Sequence, residues 1–180
     1  EVTLQIRPGS LLIAHPVHSD IKYTEHVVYI TESSPMNTSG LTLNHLSHHD
    51  LRKLMEHHGV EWPIDSTVYI GGPVNSGALV MLHSDDWYSS NTMQIDKNLS
   101  MSSDDLMIKK LGMGNVPEWY RLFLGCESWD AEDIEHQLKK AKPEWLLLAN
   151  PSRALIELSD KSLWHHAVAE YSQDVFDTYF

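Results

Sequence analysis

The apolar residues of this chain come in short runs, each stopped by Gly, Pro, Asn, Asp, Ser or His, and this spacing limits the fold more than any other feature. A short apolar run bounded by turn residues reads as a strand buried on both faces. The runs predict strands over Leu11–Ala14, Val27–Ile30, Leu41–Leu43, Val68–Ile70, Leu79–Leu82, Leu122–Leu124 and Trp145–Ala149. Between them lie helix signals. Ser47, with Asp50 three residues on, opens a first helix that places Leu51, Leu54, Met55 and His58 at helical spacing before Gly59. Ser102 with Asp105 opens a second, with Lys109 and Lys110 in its last turn before Gly112. Asp130 with Asp133 opens a third that buries Ile134, Leu138 and Ala141, adds a Glu135–Lys139 pair and must stop before Pro143. A fourth begins near Ser159 and carries Trp164, Val168 and Tyr171 on one stripe. Strands interleaved with helices predict an α+β (mixed α/β) fold, a large mixed β-sheet with flanking helices and some hairpins.

A chain of 180 residues buries roughly 70% of its unfolded surface, enough for a core without covalent staples. With 42% hydrophobic and 21% charged residues the composition is globular. There is no repeat and no Gly/Ser linker, so residues 1–180 read as a single domain. The lone cysteine, Cys126, can form no intrachain disulfide, which fits a reducing, cytoplasmic setting. Residues 1–13 lack a basic stretch followed by an apolar one, and no apolar run approaches the ~20 residues of a bilayer span. The formal charge of −12 repels phosphate backbones and anionic lipid. Direct nucleic-acid or membrane binding is therefore not expected, and Lys139, Lys140 and Lys142 form the tightest basic group. Protein partners are the expected contacts.

Each candidate site has a plainer role beside it. Among His45, His48, His49, His57 and His58 only His45 and His49 are four apart, and they straddle Ser47, where the first helix opens, so the five read as solvated histidines and not as a metal site. Gly71-Gly72-Pro73-Val74, directly after a strand, could expose backbone amides to an anion, although a simple turn or bulge is the commoner use of such glycines. No Walker loop, G-x-G-x-x-G or G-x-S-x-G motif is present, so no cofactor is expected and no catalytic residue is assigned. Cys126 is followed by Glu127, Asp130, Glu132, Asp133 and Glu135, which disfavour a thiolate. Trp119, Trp129, Trp145 and Trp164 read as core anchors.

In order along the chain come Gly9–Pro16, Asp20 with Tyr23, Val27–Ile30, Gly40–Asn44, Gly71–Val74, Leu82-His83, Phe123–Gly125 followed by Trp129, then Trp145 and Leu163-Trp164. Together these motifs resemble the AlgH/YqgE family over roughly Gly9 to Ala169. The resemblance implies a compact α+β fold with a large mixed sheet, described as two intimately packed subdomains without a linker. Members carry the description of putative transcriptional regulator, with no settled reaction. Two corners depart from the family pattern. Arg-Pro usually follows the asparagine where this chain has His45-Leu46, and a Gly-Pro-Gly-Gln type of turn usually follows the tryptophan where it has Asp130–Asp133.

Two functions are therefore expected in competition. The leading one is a non-enzymatic regulatory or adaptor protein acting through protein contacts. The alternative is a small-molecule sensor or enzyme using a pocket built from Asn44, Gly71, Gly72 and His83, in which glycine amides hold an anion and the imidazole moves a proton.

Overall fold

The computed structural model describes residues 5–159 and 161–180. Its nine strands are β1 (Leu11–Ala14), β2 (Val27–Ser33), β3 (Asn37–Thr42), β4 (Tyr69–Ile70), β5 (Val74–Ser84), β6 (Met93–Asp96), β7 (Leu99–Ser102), β8 (Tyr120–Asp130) and β9 (Trp145–Leu148). Its helices are α1 (Leu51–His57), α2 (Asp105–Gly112), α3 (Ala131–Lys139), α4 (Arg153–Glu157) and α5 (Leu163–Tyr179). The fold is a mixed α+β one, as the strand and helix spacing predicts. The chain divides into two compact units. A terminal unit holds residues 1–44 and 127–180, and a central unit holds residues 45–126.

In the terminal unit the strand order is β9-β1-β2-β3, with the end of β8 on β3. Every pairing there is antiparallel, with Leu11 opposite both Tyr29 and Leu148. β1 and the first residues of β2 are buried on both faces, which is why they read as continuous apolar runs and not as alternating ones. One face is covered by α3. Asp130 caps it by accepting from Glu132 N, and Ile134 and Leu138, one helical turn apart, pack with Leu12, Ala14, Val28, Ile30 and Trp145. α5 runs against β1, β2 and β9, and the indole Nε1–H of Trp164 donates to the carbonyl of Ala14 at 2.9 Å.

In the central unit the order is β6-β7-β5-β8, antiparallel, with β4 parallel to β8. That parallel pair makes the strands a mixed set. The core joins Leu51 and Met55 of α1, Met107 and Leu111 of α2, Leu79 and Met81 of β5, and Leu122 of β8, with Trp62 and Trp87.

Several boundaries moved for local reasons. α1 starts after Asp50 and not at Ser47, because the Ser47 hydroxyl accepts from His49 N inside its own loop while the Asp50 carboxylate takes the N-cap, accepting from Arg52 N. Ser102 stays in β7 opposite Met81, and Asp104 caps α2 by accepting from Met107 N. Ala141 lies beyond the end of α3 and is exposed. α5 begins at Leu163, and its deepest residues are Leu163 and Ala167, while Trp164, Val168 and Tyr171 flank them half-buried.

Candidate functional site

The central unit contains an irregularity that its packing enforces. β5 pairs Val74 with Cys126 and then Leu79 with Leu124, so Asn75–Ala78 all bulge opposite Gly125 alone. Bulges of this kind re-aim backbone and often sit beside functional sites. Two residues take left-handed backbone to make it, Asn75 at φ 51° and Gly125 at φ 72°. A side chain at Gly125 would start 2.3 Å from the Gly72 carbonyl oxygen, 3.0 Å from that of Val74 and 3.2 Å from the Ser76 Cα. Only glycine allows the Gly71-Gly72 turn and the bulge to close on β8 this tightly.

The bulge forms the lip of a cavity of about 610 Å³. Ser76, Gly77 and Leu79 of β5 face Leu51, Leu54 and Met55 of α1, with Val60, Ile108 and Leu124 completing the wall and His49 and His58 at the α1 ends. The volume falls within the ~300–1,000 Å³ typical of small-molecule sites. No carboxylate, amine or guanidinium lines it.

The four residues expected to form a pocket have separate places. Gly71 and Gly72 are buried in the central unit, where Gly71 N donates to the Leu124 carbonyl at 2.8 Å and Gly72 packs on Gly125. The Gly71 amide is therefore spent on β8. His83 lies on β5 with no exposed surface. Its Nδ1 meets the Ser84 carbonyl at 2.7 Å, so the proton sits there, and Nε2 accepts from the Ser102 hydroxyl at 2.8 Å. Ser102 bonds Thr92, which accepts from Ser89 N, and the Ser89 hydroxyl donates to the Asp104 cap of α2. Burial holds the His83 imidazole below the ordinary histidine range, and its hydrogen bonds tie β5 to β7 and α2. Asn44 belongs to the terminal unit. Its Oδ1 accepts from Val27 N at 3.0 Å and its Nδ2 donates to the Glu25 carbonyl at 2.8 Å, clamping the turn in which Glu25 takes φ 57°.

The terminal unit carries a second polar arrangement that residue spacing did not reveal. Glu127 is 5% exposed and accepts from the Tyr23 hydroxyl at 3.3 Å. Burial pushes its carboxyl up, against the pull of the Tyr23 hydrogen bond and Lys22. Burial, then the neighbouring Glu127 charge, pushes the Tyr23 phenol up to about 12. Tyr23 lies edge-on to Trp145 at 5.1 Å and near Trp129 and His18, an aromatic cluster whose members are scattered through the sequence. His18 Nδ1 accepts from Asp20 N at 3.0 Å, and Glu144, 3.3 Å from that nitrogen, accepts from the Ser19 amide and hydroxyl. Among the described residues no group of three or more His, Cys, Asp or Glu is placed to hold a metal ion. No described helix is long and apolar enough to cross a membrane.

Comparison with known proteins places the chain. The family model described as AlgH-like matches residues 11–175. The chain belongs to the AlgH-like family. A UPF0301 protein of Marinomonas is 31% identical over 141 residues, covering 76% of this chain and 73% of the relative. The solution structure of AlgH from Pseudomonas aeruginosa superposes with a TM-score of 0.77 at 24% identity, covering 94% of this chain and 92% of that one. The crystal structure of protein DIP2367 from Corynebacterium diphtheriae gives 0.72 at 19% identity, over 94% and 90%. Both likenesses concern the fold. The printed names of these relatives carry no activity.

Within this AlgH-like chain the two departing corners have structural roles. The Ile70 amide donates to the His45 carbonyl at 2.7 Å and Leu46 bridges Tyr69, so the first corner is joined to β4 through backbone. At the second, Asp130 serves as the N-cap of α3, and the helix starts on the next residue.

Proposed function

We propose that this chain is a non-enzymatic regulatory protein whose central unit captures a small, largely apolar molecule in the cavity between α1, Ile108 of α2 and the β5 bulge. The observation that carries the reading is the cavity itself: about 610 Å³, walled by aliphatic side chains and bordered by a backbone bulge that Gly125 alone permits. The hollow opens at the surface, so its aliphatic wall is apolar area left to water unless a ligand covers it. A wall held open by a left-handed glycine and a four-residue bulge is a shape the fold maintains. The occupied nitrogens of His83 and the bonded Gly71 amide favour binding over turnover. The regulatory output, passed to protein partners in the cytoplasm, would use contact surfaces such as the exposed, stacked rings of Phe176 on α5 and Phe180 at its C-cap.

The test is saturation binding of N-phenyl-1-naphthylamine, a neutral apolar fluorophore, to wild type and to Gly77→Phe. Gly77 lines the cavity and a Cβ there meets nothing within 4 Å, so phenylalanine adds bulk at the mouth without a backbone clash. Stoichiometric binding lost in Gly77→Phe, with thermal unfolding unchanged, supports the reading. Absent binding, or equal binding by both proteins, refutes it.

A further inference from the structure

The lining of the central-unit cavity specifies more than apolarity, and the following rests on the reading that this cavity binds a small molecule. Its wall is aliphatic throughout: Leu51, Leu54, Met55, Val60, Leu79, Ile108 and Leu124. No aromatic ring lies among these side chains, so the wall has no stacking platform for a nucleobase or another flat heterocycle. Dispersion against branched aliphatic groups suits a flexible hydrocarbon chain, and the thioether of Met55 can follow its shape.

The mouth has a different chemistry. His49 and His58 stand at the two ends of α1, and Ser76 stands on the bulge facing them. The His49 and His58 rings and the Ser76 hydroxyl make no hydrogen bond to the protein among the described residues, although the His58 backbone amide closes α1 on Met55 and Glu56. All three side chains can donate. The shallow depression that adjoins this mouth adds His48, His57 and Lys53, with Asp50 as its one acid. Asp50 is engaged as the N-cap of α1. On a chain of net charge −12, this is a local concentration of hydrogen-bond donors, with Lys53 as its cation, beside an aliphatic hollow.

We infer that the cavity takes a single-chain amphiphile with an anionic head, of the class of a medium-chain aliphatic carboxylate, its tail between α1 and the bulge and its carboxylate at the mouth, where the His49 and His58 rings and the Ser76 hydroxyl offer donors. The tail supplies affinity through burial, worth about 0.8 kcal/mol per methylene, so each added methylene tightens binding about fourfold until the cavity is full. The imidazoles supply the choice of head group through charge-assisted hydrogen bonds.

The experiment is displacement of N-phenyl-1-naphthylamine from the intact chain by octanoate, decanoate, decanol and decylamine. Expected are displacement by decanoate at roughly 15-fold lower concentration than octanoate and about tenfold lower than decanol. Replacing both rings, His49→Gln with His58→Gln, should bring decanoate level with decanol while leaving decanol unchanged. Decanol or decylamine competing as well as decanoate would overturn the anionic head and leave the apolar-binding reading standing. Equal potency of octanoate and decanoate would overturn the chain-length argument. Failure of the fluorophore to bind at all would overturn both.

Discussion

Replacing Gly125 by alanine separates the two reasons the position is glycine. The first is conformational, since a β-carbon at φ 72° costs roughly 1–2 kcal/mol. The second is steric. The new atom would sit 2.3 Å from the Gly72 oxygen and 3.0 Å from the Val74 oxygen, both backbone atoms that no rotamer change can move aside. Forced backbone shifts of this kind add about 1–3 kcal/mol. The sum, about 2–5 kcal/mol, corresponds to a fall in Tm of about 5–15 °C for a chain of this size. Gly114 supplies the control: it has φ 77°, and a Cβ there meets nothing within 4 Å. Gly114→Ala should therefore cost only the conformational part, roughly 1–2 kcal/mol. Urea unfolding followed by tryptophan fluorescence measures both variants against wild type. If Gly125→Ala is no more destabilising than Gly114→Ala, the bulge does not close on β8 as described. The lip of the cavity moves with it, so at a temperature where both variants are folded, fluorophore binding should weaken only in Gly125→Ala.

Asn44→Ala removes two side-chain hydrogen bonds and strands the Val27 amide, so it should lose about 1–3 kcal/mol in urea unfolding. Asp50→Ala should cost about 1 kcal/mol and Ser47→Ala less than about 0.5 kcal/mol, and the reverse order would move the start of α1 back to Ser47. Tyr23 should titrate near 12 in the folded protein and near 10 unfolded, so between those values the folded chain holds a proton the unfolded chain has released. Stability then falls as pH rises through that window, and Tyr23→Phe should flatten the fall in unfolding curves taken above pH 9. Because burial raises the Glu127 carboxyl, its ionised form costs stability above the folded pKa, and the cost is relieved as pH falls. Glu127→Gln should accordingly stabilise at pH 8, with the gain gone by pH 4; a variant less stable at pH 8 would contradict the desolvation argument.

How far the sequence discloses this molecule depends on whether a feature is local. The cores of β1, β2 and β9 are short buried runs and carry their own signal. The start of α3 is legible to the residue because Asp130, the acidic first turn and the Ile134/Leu138 spacing agree, while its end falls two residues short of Ala141. The β6–β7 hairpin is not, since Met93, Gln94 and Asp96 are exposed and mix apolar with polar residues. α4 is five residues long, too short to set a periodicity. Gly71-Gly72 is a local motif, but Gly125, on which it closes, lies on another strand, and pairing register cannot be read from a single chain. His83 drew attention as an imidazole. Its partner Ser102 comes from a four-residue strand with no continuous apolar run, and only the register His83 opposite Ser100 brings that hydroxyl within reach. The cavity wall likewise gathers residues from four elements, each an ordinary apolar position in its own stretch of sequence.

The central claim is that the hollow between α1 and the β5 bulge holds a small apolar ligand. Methyl NMR of the intact chain during titration with decanoate tests it most directly. The account predicts saturable shifts at Leu51, Leu54, Met55, Leu79, Ile108 and Leu124, with Leu12, Ile30 and Ile134 of the terminal unit unmoved. Shifts confined to the terminal unit, or none at saturating decanoate, would contradict it.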